Sequence, residues 1–234
     1  QALPSPLPES LVVEARKLQQ QFCSLRTQTQ TFRGQVSGDE IDLDAWLKQK
    51  TQPGQIQQEE KLYIARNRNQ RDLSTLVLAD LSMSTDAGVA AQITGSQSVT
   101  GLKVIDLIRD SLLLFSEALA SCDDPFAIYG FSSIKNKQVR YQLLKNFAEP
   151  YSDETRGRLL AIQPGFYTRM GAAIRQSTEV LKLQVSAQRL LLILSDGKPN
   201  DIDRYEGRYG IEDTRQAVLE AKRQGVQPFC ITID

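Results

Sequence analysis

The 234-residue sequence contains no histidine. That absence excludes Ser-His-Asp and Cys-His catalysis, histidine-ligated zinc and an imidazole pH switch. Cysteine is scarce too. Cys23, Cys122 and Cys230 are odd in number and far apart, so they form neither a disulfide framework nor a metal-spacing cluster. Such usage fits a reducing compartment, and a cytoplasmic protein is expected. Neither sign of charge is in excess. Lys+Arg and Asp+Glu both number 28, so net charge supplies no argument for nucleic acid or an anionic lipid surface. No apolar run approaches membrane-spanning length, and the opening QALPSPLPES is not a signal peptide. It reads as a linker, which suggests part of a longer protein. The final PFCITID reads as a strand that a doubly wound domain would follow with a helix, so a C-terminal helix is expected to be missing.

What is present is a 41% apolar chain, enough for one sizeable α/β domain with an appendage. Residues 1–70 are Gln-rich, with polar tracts such as RTQTQTFRGQ, and read as a helical or partly disordered leader. Within it Leu11, Val12, Ala15, Leu18, Phe22 and Leu25 fall at helical spacing. GDEIDLDAWLKQK reads as a short helix with acids at its start, and KLYIAR as a short strand able to pack on a sheet edge. From residue 71 the pattern becomes regular. LSTLVLAD (73–80) and RLLLILSD (189–196) are continuous apolar runs that end in Asp, as strands buried on both faces require. Between and after them, apolar segments at strand and helix periods alternate. Ser152 is placed to cap the helix in SDETRGRLLAI, and Gly225 to stop the one in IEDTRQAVLEAKRQG. Alternation of this kind implies a doubly wound, mostly parallel α/β sheet with helices on both faces.

Ligands of such sheets bind beyond the C-terminal ends of the strands. Three loops at that edge carry oxygen donors. The first, ADLSMSTD, supplies Asp80, Ser82 and Ser84; the loop before a helix supplies Thr168; the loop after the second apolar run supplies Asp196. Two carboxylates and three hydroxyls are hard ligands that suit Mg²⁺ or Mn²⁺ and suit zinc or copper poorly. Few negative charges on the metal would leave it electrophilic, and an open position could accept a carboxylate from another molecule.

DLSMS, Thr168 in YTRMG and Asp196 in SDGKPND resemble the metal-ion-dependent adhesion site (MIDAS) of von Willebrand factor A (VWA) domains. The longer strings GDEIDLDAW, YTRMGAAIR and SDGKPNDIDRYEGRYGIEDTR resemble the NorD/CbbO group, which comprises the nitric-oxide-reductase activation protein and the Rubisco-activase adaptor. The resemblance implies a VWA domain over 71–234. Ser82, Ser84 and Thr168 would be direct or water-bridged ligands, and Asp80 and Asp196 would act chiefly through water. It also implies a cytoplasmic adaptor, not an enzyme. The adaptor would work with a MoxR-type hexameric AAA+ ATPase to activate a client, Rubisco or nitric oxide reductase, through an acidic residue that completes the metal site.

Other features carry competing readings. Tyr205, Arg208, Tyr209 and Arg215 form an aromatic and Arg-rich stretch beside the metal edge, which fits either a partner interface or a self-packed loop. Asp201 and Asp203 read as residues that cap or solvate their loop, Asp86 as one that backs the metal ligands or starts a helix, and Cys230 as a core residue. One functional rival is an aspartyl phosphotransferase with Asp80 as nucleophile. It requires a carboxylate two residues later, where Ser82 stands. Another is an adhesion-type module that uses the same metal site.

Overall fold

The computed structural model describes residues 3–24, 29–38, 40–51, 61–68, 72–86, 103–134, 138–195 and 207–233. The elements, in chain order, are α1 (Val12–Ser24), β1 (Thr29–Gln35), β2 (Glu40–Ile41), α2 (Leu43–Thr51), β3 (Tyr63–Arg68), β4 (Leu73–Asp80), α3 (Val104–Ser121), β5 (Phe126–Ile134), β6 (Gln138–Lys145), α4 (Asp153–Leu160), α5 (Met170–Lys182), β7 (Gln188–Ser195), α6 (Gly207–Arg223) and β8 (Gln227–Thr232). They fall into two compact units, Gln1–Phe22 with Asp72–Asp234, and Cys23–Arg71. Among the described residues no helix is long and apolar enough to cross a membrane.

The larger unit is built on a five-stranded sheet of order β6-β5-β4-β7-β8. β4 pairs in parallel with β5 and β7, β7 pairs in parallel with β8, and β6 joins β5 antiparallel at one edge. This is the doubly wound, mostly parallel sheet expected from the alternating pattern. All eight residues of β4 are buried, because the central strand has helices over both faces. Its side chains alternate between two cores. Val77 and Ala79 face a cluster with Ile105, Ile108, Leu112 and Leu159, from α3 and α4. Leu76 and Leu78 face a cluster with Ile174, Leu181, Ala217 and Ala221, from α5 and α6.

The first helix belongs to this unit and not to a separable leader. Ala15 of α1 and Leu11 just before it are buried, Leu11 joins the α3 and α4 core, and Phe22 of α1 packs against that core. The extended residues before α1 also dock, with Ser5 N–H donating to the Asp153 carbonyl at 3.0 Å. A Cβ at Gly157 would collide with the Leu3 carbonyl, so α4 needs a residue without a side chain where the chain crosses it. Arg156 Nε and the Tyr151 hydroxyl both donate to Glu117 Oε1, at 2.7 and 3.0 Å, and tie α4 to α3. Ser152 stands at the cap position of α4, yet its side chain makes no capping hydrogen bond.

The smaller unit holds a three-stranded antiparallel sheet of order β1-β3-β2. The tract TQTFRGQ, expected within a helical or partly disordered leader, is strand β1. KLYIAR contributes β3 to the middle of this sheet and not to an edge of the larger one. Asp42 caps α2 by accepting the Ala45 N–H at 3.2 Å, which accounts for the acids at that helix start. Cys230, expected in the core, is exposed; its strand β8 ends the sheet order and, among the described residues, pairs only with β7.

Candidate metal and partner site

β4 ends at Asp80, β7 at Ser195 and β5 at Ile134, so their parallel register brings three chain exits to one edge. Asp80 pairs with Phe131 of β5, and the Leu81 N–H continues the ladder to the Phe131 carbonyl at 2.9 Å. The chain then turns. Asp80 Oδ1 accepts the Ser82 N–H at 3.0 Å, the short-range carboxylate-to-amide bond that an Asp two residues upstream can make. Thr85 donates both its N–H, at 3.1 Å, and its hydroxyl, at 2.5 Å, to the Ser82 carbonyl, closing a 3₁₀ turn over Met83–Asp86. The D-x-S spacing is therefore a folded device in which the Asp fixes the backbone that carries the Ser.

The loop ahead of α5 is pinned to the same place. Ser133 and Tyr167 exchange backbone hydrogen bonds, at 2.7 Å for the Ser133 N–H and 2.9 Å for the Tyr167 N–H. Met83 N–H donates to the Phe166 carbonyl at 2.7 Å, and Gly165 N–H to the Leu81 carbonyl at 2.5 Å. These bonds set Thr168 against Asp80, with the Thr168 hydroxyl 3.4 Å from Oδ1 and 3.3 Å from Oδ2. Thr168 and Ser82 are almost fully buried, and Asp80 is 0% exposed.

The structure thus brings together Asp80, Ser82 and Thr168 and adds a residue that the sequence reading passed over. Ser195 Oγ donates to Asp80 Oδ2 at 2.8 Å from a fully buried position. The available signal was its place at the last position of β7, beside the strand that ends in Asp80. Ser84 lies in the 3₁₀ turn, and its side chain is outside the described residues, as are Asp196 and Tyr205. Asp80 stands at a strand end, where a carboxylate is commonly open to solvent. It is buried instead, because the turn and the 163–168 loop cover it.

A buried carboxylate is costly unless donors or a cation compensate it. Asp80 receives an amide and two hydroxyls, all of which stabilise its charged form. Among the described residues no three His, Cys, Asp or Glu side chains converge as a metal cluster. The donors that do converge are one carboxylate and the hydroxyls of Thr168 and Ser195, with Ser82 held beside them through its N–H. That set is all hard oxygen of low total charge, which fits an octahedral Mg²⁺ or Mn²⁺ that keeps part of its water. Nearby, Cys230 is exposed as a residue, yet partial desolvation of its thiol first, and the Asp80 charge second, push it above its ordinary range.

Arg215 lies on α6, the helix expected over IEDTRQAVLEAKRQG, and Arg208 and Tyr209 lie on it too and not in a loop, because the helix begins at Gly207. Tyr209 is 62% exposed, and Arg215 pairs with Glu212 at 3.3 Å one turn away. Arg208, Glu212 and Arg215 follow the helical repeat and share one outer face. The opposite side of α6 is fixed to α5 by Arg175, which reaches Asp213 at 2.8 Å and Glu220 at 2.7 Å.

No family model matches the chain. It is 54% identical over 233 residues to Protein NorD of Stutzerimonas stutzeri, covering 99% of this chain and 36% of that protein. It is 36% identical over 220 residues to Protein NorD of Brucella suis biovar 1, covering 94% of this chain and 33% of that protein. The chain therefore spans about a third of the length of these curated relatives. Among solved structures, the pilus adhesin SpaC of Lactobacillus rhamnosus GG aligns at a TM-score of 0.51 and 14% identity. The alignment covers 70% of this chain and 24% of that one, a likeness of fold alone.

Proposed function

We propose, proceeding from the chain's membership of the NorD group of VWA-type proteins over the third of their length that it spans, that it is a metal-dependent adaptor module. In this reading Ser82, Ser84 and Thr168 hold Mg²⁺ or Mn²⁺, and Asp80 and Asp196 hold its waters. When bound, the metal supplies an electrophilic position for an Asp or Glu of a client enzyme. The chain's own residues do the rest. Asp80 fixes the backbone at Ser82, the 163–168 loop holds Thr168 in place, and Ser195 sets the Asp80 carboxylate. The wider protein would act with a MoxR-type AAA+ ATPase. Because the matched relatives carry the NorD name, nitric oxide reductase is favoured over Rubisco as the client.

The observation that carries this reading is the convergence of buried hydroxyls on a buried carboxylate at the C-terminal edge of the sheet. The same observation speaks against the phosphotransferase reading. A nucleophilic Asp must present a free oxygen to its substrate, whereas Asp80 is covered and both its oxygens accept hydrogen bonds. The test is reconstitution of a full-length protein carrying Asp80→Asn with its ATPase and client. The expected result is normal expression and folding with no recovery of client activity. Full activation by the variant would overturn the metal-dependent reading.

A further inference from the structure

The geometry points to a second contact for the same partner: we propose that a cleft beside the metal edge, centred on Arg140, receives a second carboxylate of the partner. This inference rests on the metal-dependent reading above. The cleft encloses about 230 Å³, and its lining includes Leu81, Arg140, Gln142, Gln163 and Gly165. No carboxylate lines it among the described residues. Its polar side chains are one guanidinium, two amides and the Ser132 hydroxyl, so its field favours an anion and its donors favour a planar acceptor.

Arg140 differs from other arginines of the larger unit. Arg109, Arg156, Arg158, Arg175 and Arg215 each hold a carboxylate. Arg140 instead lies over the Phe166 ring, 4.4 Å from its centroid, on an exposed stretch of β6. Stacking of this kind holds the guanidinium plane in place and leaves its N–H fork available. A pre-set fork binds a carboxylate with little further loss of side-chain freedom.

The cleft adjoins the metal edge through its own walls. Leu81 stands between Asp80 and Ser82, and its carbonyl accepts the Gly165 N–H at 2.5 Å. Phe166, under Arg140, accepts the Met83 N–H at 2.7 Å. A Cβ at Gly165 would stand 2.9 Å from Ser132 Oγ and 3.2 Å from the Leu81 carbonyl, so the loop packs closely against both walls and a side chain there would push on them. An extended partner advances about 3.3 Å per residue. Because the cleft wall Leu81 is the residue between Asp80 and Ser82, a second acidic residue close in sequence to the one at the metal would engage both sites. The partner segment is thus a short acidic stretch and not a lone Asp or Glu.

The experiment uses the whole chain, labelled with ¹⁵N, and two blocked tetrapeptides, Gly-Glu-Gly-Gly and Glu-Gly-Gly-Glu. Each is titrated in Mg²⁺ and in EDTA, with the Gln-Gly-Gly-Gln peptide as a neutral control. In Mg²⁺ the diacidic peptide should bind about three- to tenfold tighter than the monoacidic one. The Arg140 Nε–H and the Gln142 and Gln163 side-chain amide resonances should move. Arg140→Gln should remove both the advantage and those shifts, with monoacidic binding unchanged. Arg140→Lys, which keeps the charge and loses the fork, should lose most of the advantage. Equal affinity for the two peptides, or an advantage that survives Arg140→Gln, would overturn the proposal. Monoacidic binding that ignores EDTA would instead count against the metal reading. The Arg140-dependent shifts with the diacidic peptide in EDTA would then still support the cleft.

Discussion

Ser195→Ala removes one hydroxyl from a fully buried position, and the geometry around Asp80 sets the size of the effect. Ser195 Oγ lies 2.8 Å from Asp80 Oδ2, whereas the competing donor on that oxygen, Thr168, is at 3.3 Å. Loss of a short bond to an ionised carboxylate costs about 1.5–3 kcal/mol, because burial prevents water from replacing the donor. The substitution removes only one oxygen atom, so a packing term contributes little. On the Asp80→Asn background the bond becomes neutral, and the cost of Ser195→Ala should fall to about 0.5–1.5 kcal/mol. The double-mutant cycle is read by urea unfolding in EDTA, followed by far-UV circular dichroism. The single tryptophan, Trp46, lies in the smaller unit, so its fluorescence separates that unit's transition from the α/β transition. A single-variant cost below about 0.5 kcal/mol would refute the assignment of Ser195 to the Asp80 carboxylate, as would equal costs on both backgrounds.

Lys145 is buried at the end of β6, donates to the Phe126 and Asn146 carbonyls at 2.8 and 3.0 Å, and lies 4.0 Å from the centroid of the Phe126 ring. Burial pushes its amine down to about 8, with Glu149 opposing the shift and Arg158 reinforcing it. Between that value and the ordinary lysine range the unfolded chain binds more protons, so stability should rise from about pH 8 to pH 10, and Lys145→Met should flatten that rise in urea titrations. Above about pH 10 the raised hydroxyls of Tyr141 and Tyr151 act in the opposite direction, because the unfolded chain then loses protons that the fold retains. Gly157→Ala should release residues 3–5 from α4, seen as faster amide exchange at Ser5 with the sheet still protected; unchanged exchange would mean that the N-terminal segment does not cross α4 there.

The central strands were legible in the sequence because a strand covered on both faces must be apolar at every position, as LSTLVLAD is. The pairing of Asp80 with Thr168 was legible because the two motifs fall in loops that leave the same edge. Ser195 was not, since a serine at the end of an apolar run carries no sign of what it faces until the register of β4 with β7 is known. The strands of the smaller unit were hidden for another reason. TQTFRGQ is polar and short of β-branched apolar residues, so cross-strand hydrogen bonds to β3 define it more than hydrophobic alternation does. Helix α1 was visible by its spacing, but the surface it covers is set by contacts with α3, far away in sequence. Arg208 and Tyr209 were read as loop residues because the helical pattern was taken to start at IEDTR, and α6 begins earlier, at Gly207.

Manganese binding to the whole chain, followed by electron paramagnetic resonance, tests the metal site most directly. Thr168→Val keeps the β-branched shape and deletes only the hydroxyl that faces Asp80. The account predicts one saturable Mn²⁺ site in the parent chain that Mg²⁺ displaces, with affinity at least about tenfold weaker in Thr168→Val and in Ser82→Ala. Equal Mn²⁺ affinity in the parent and both variants, with the fold intact, would contradict it.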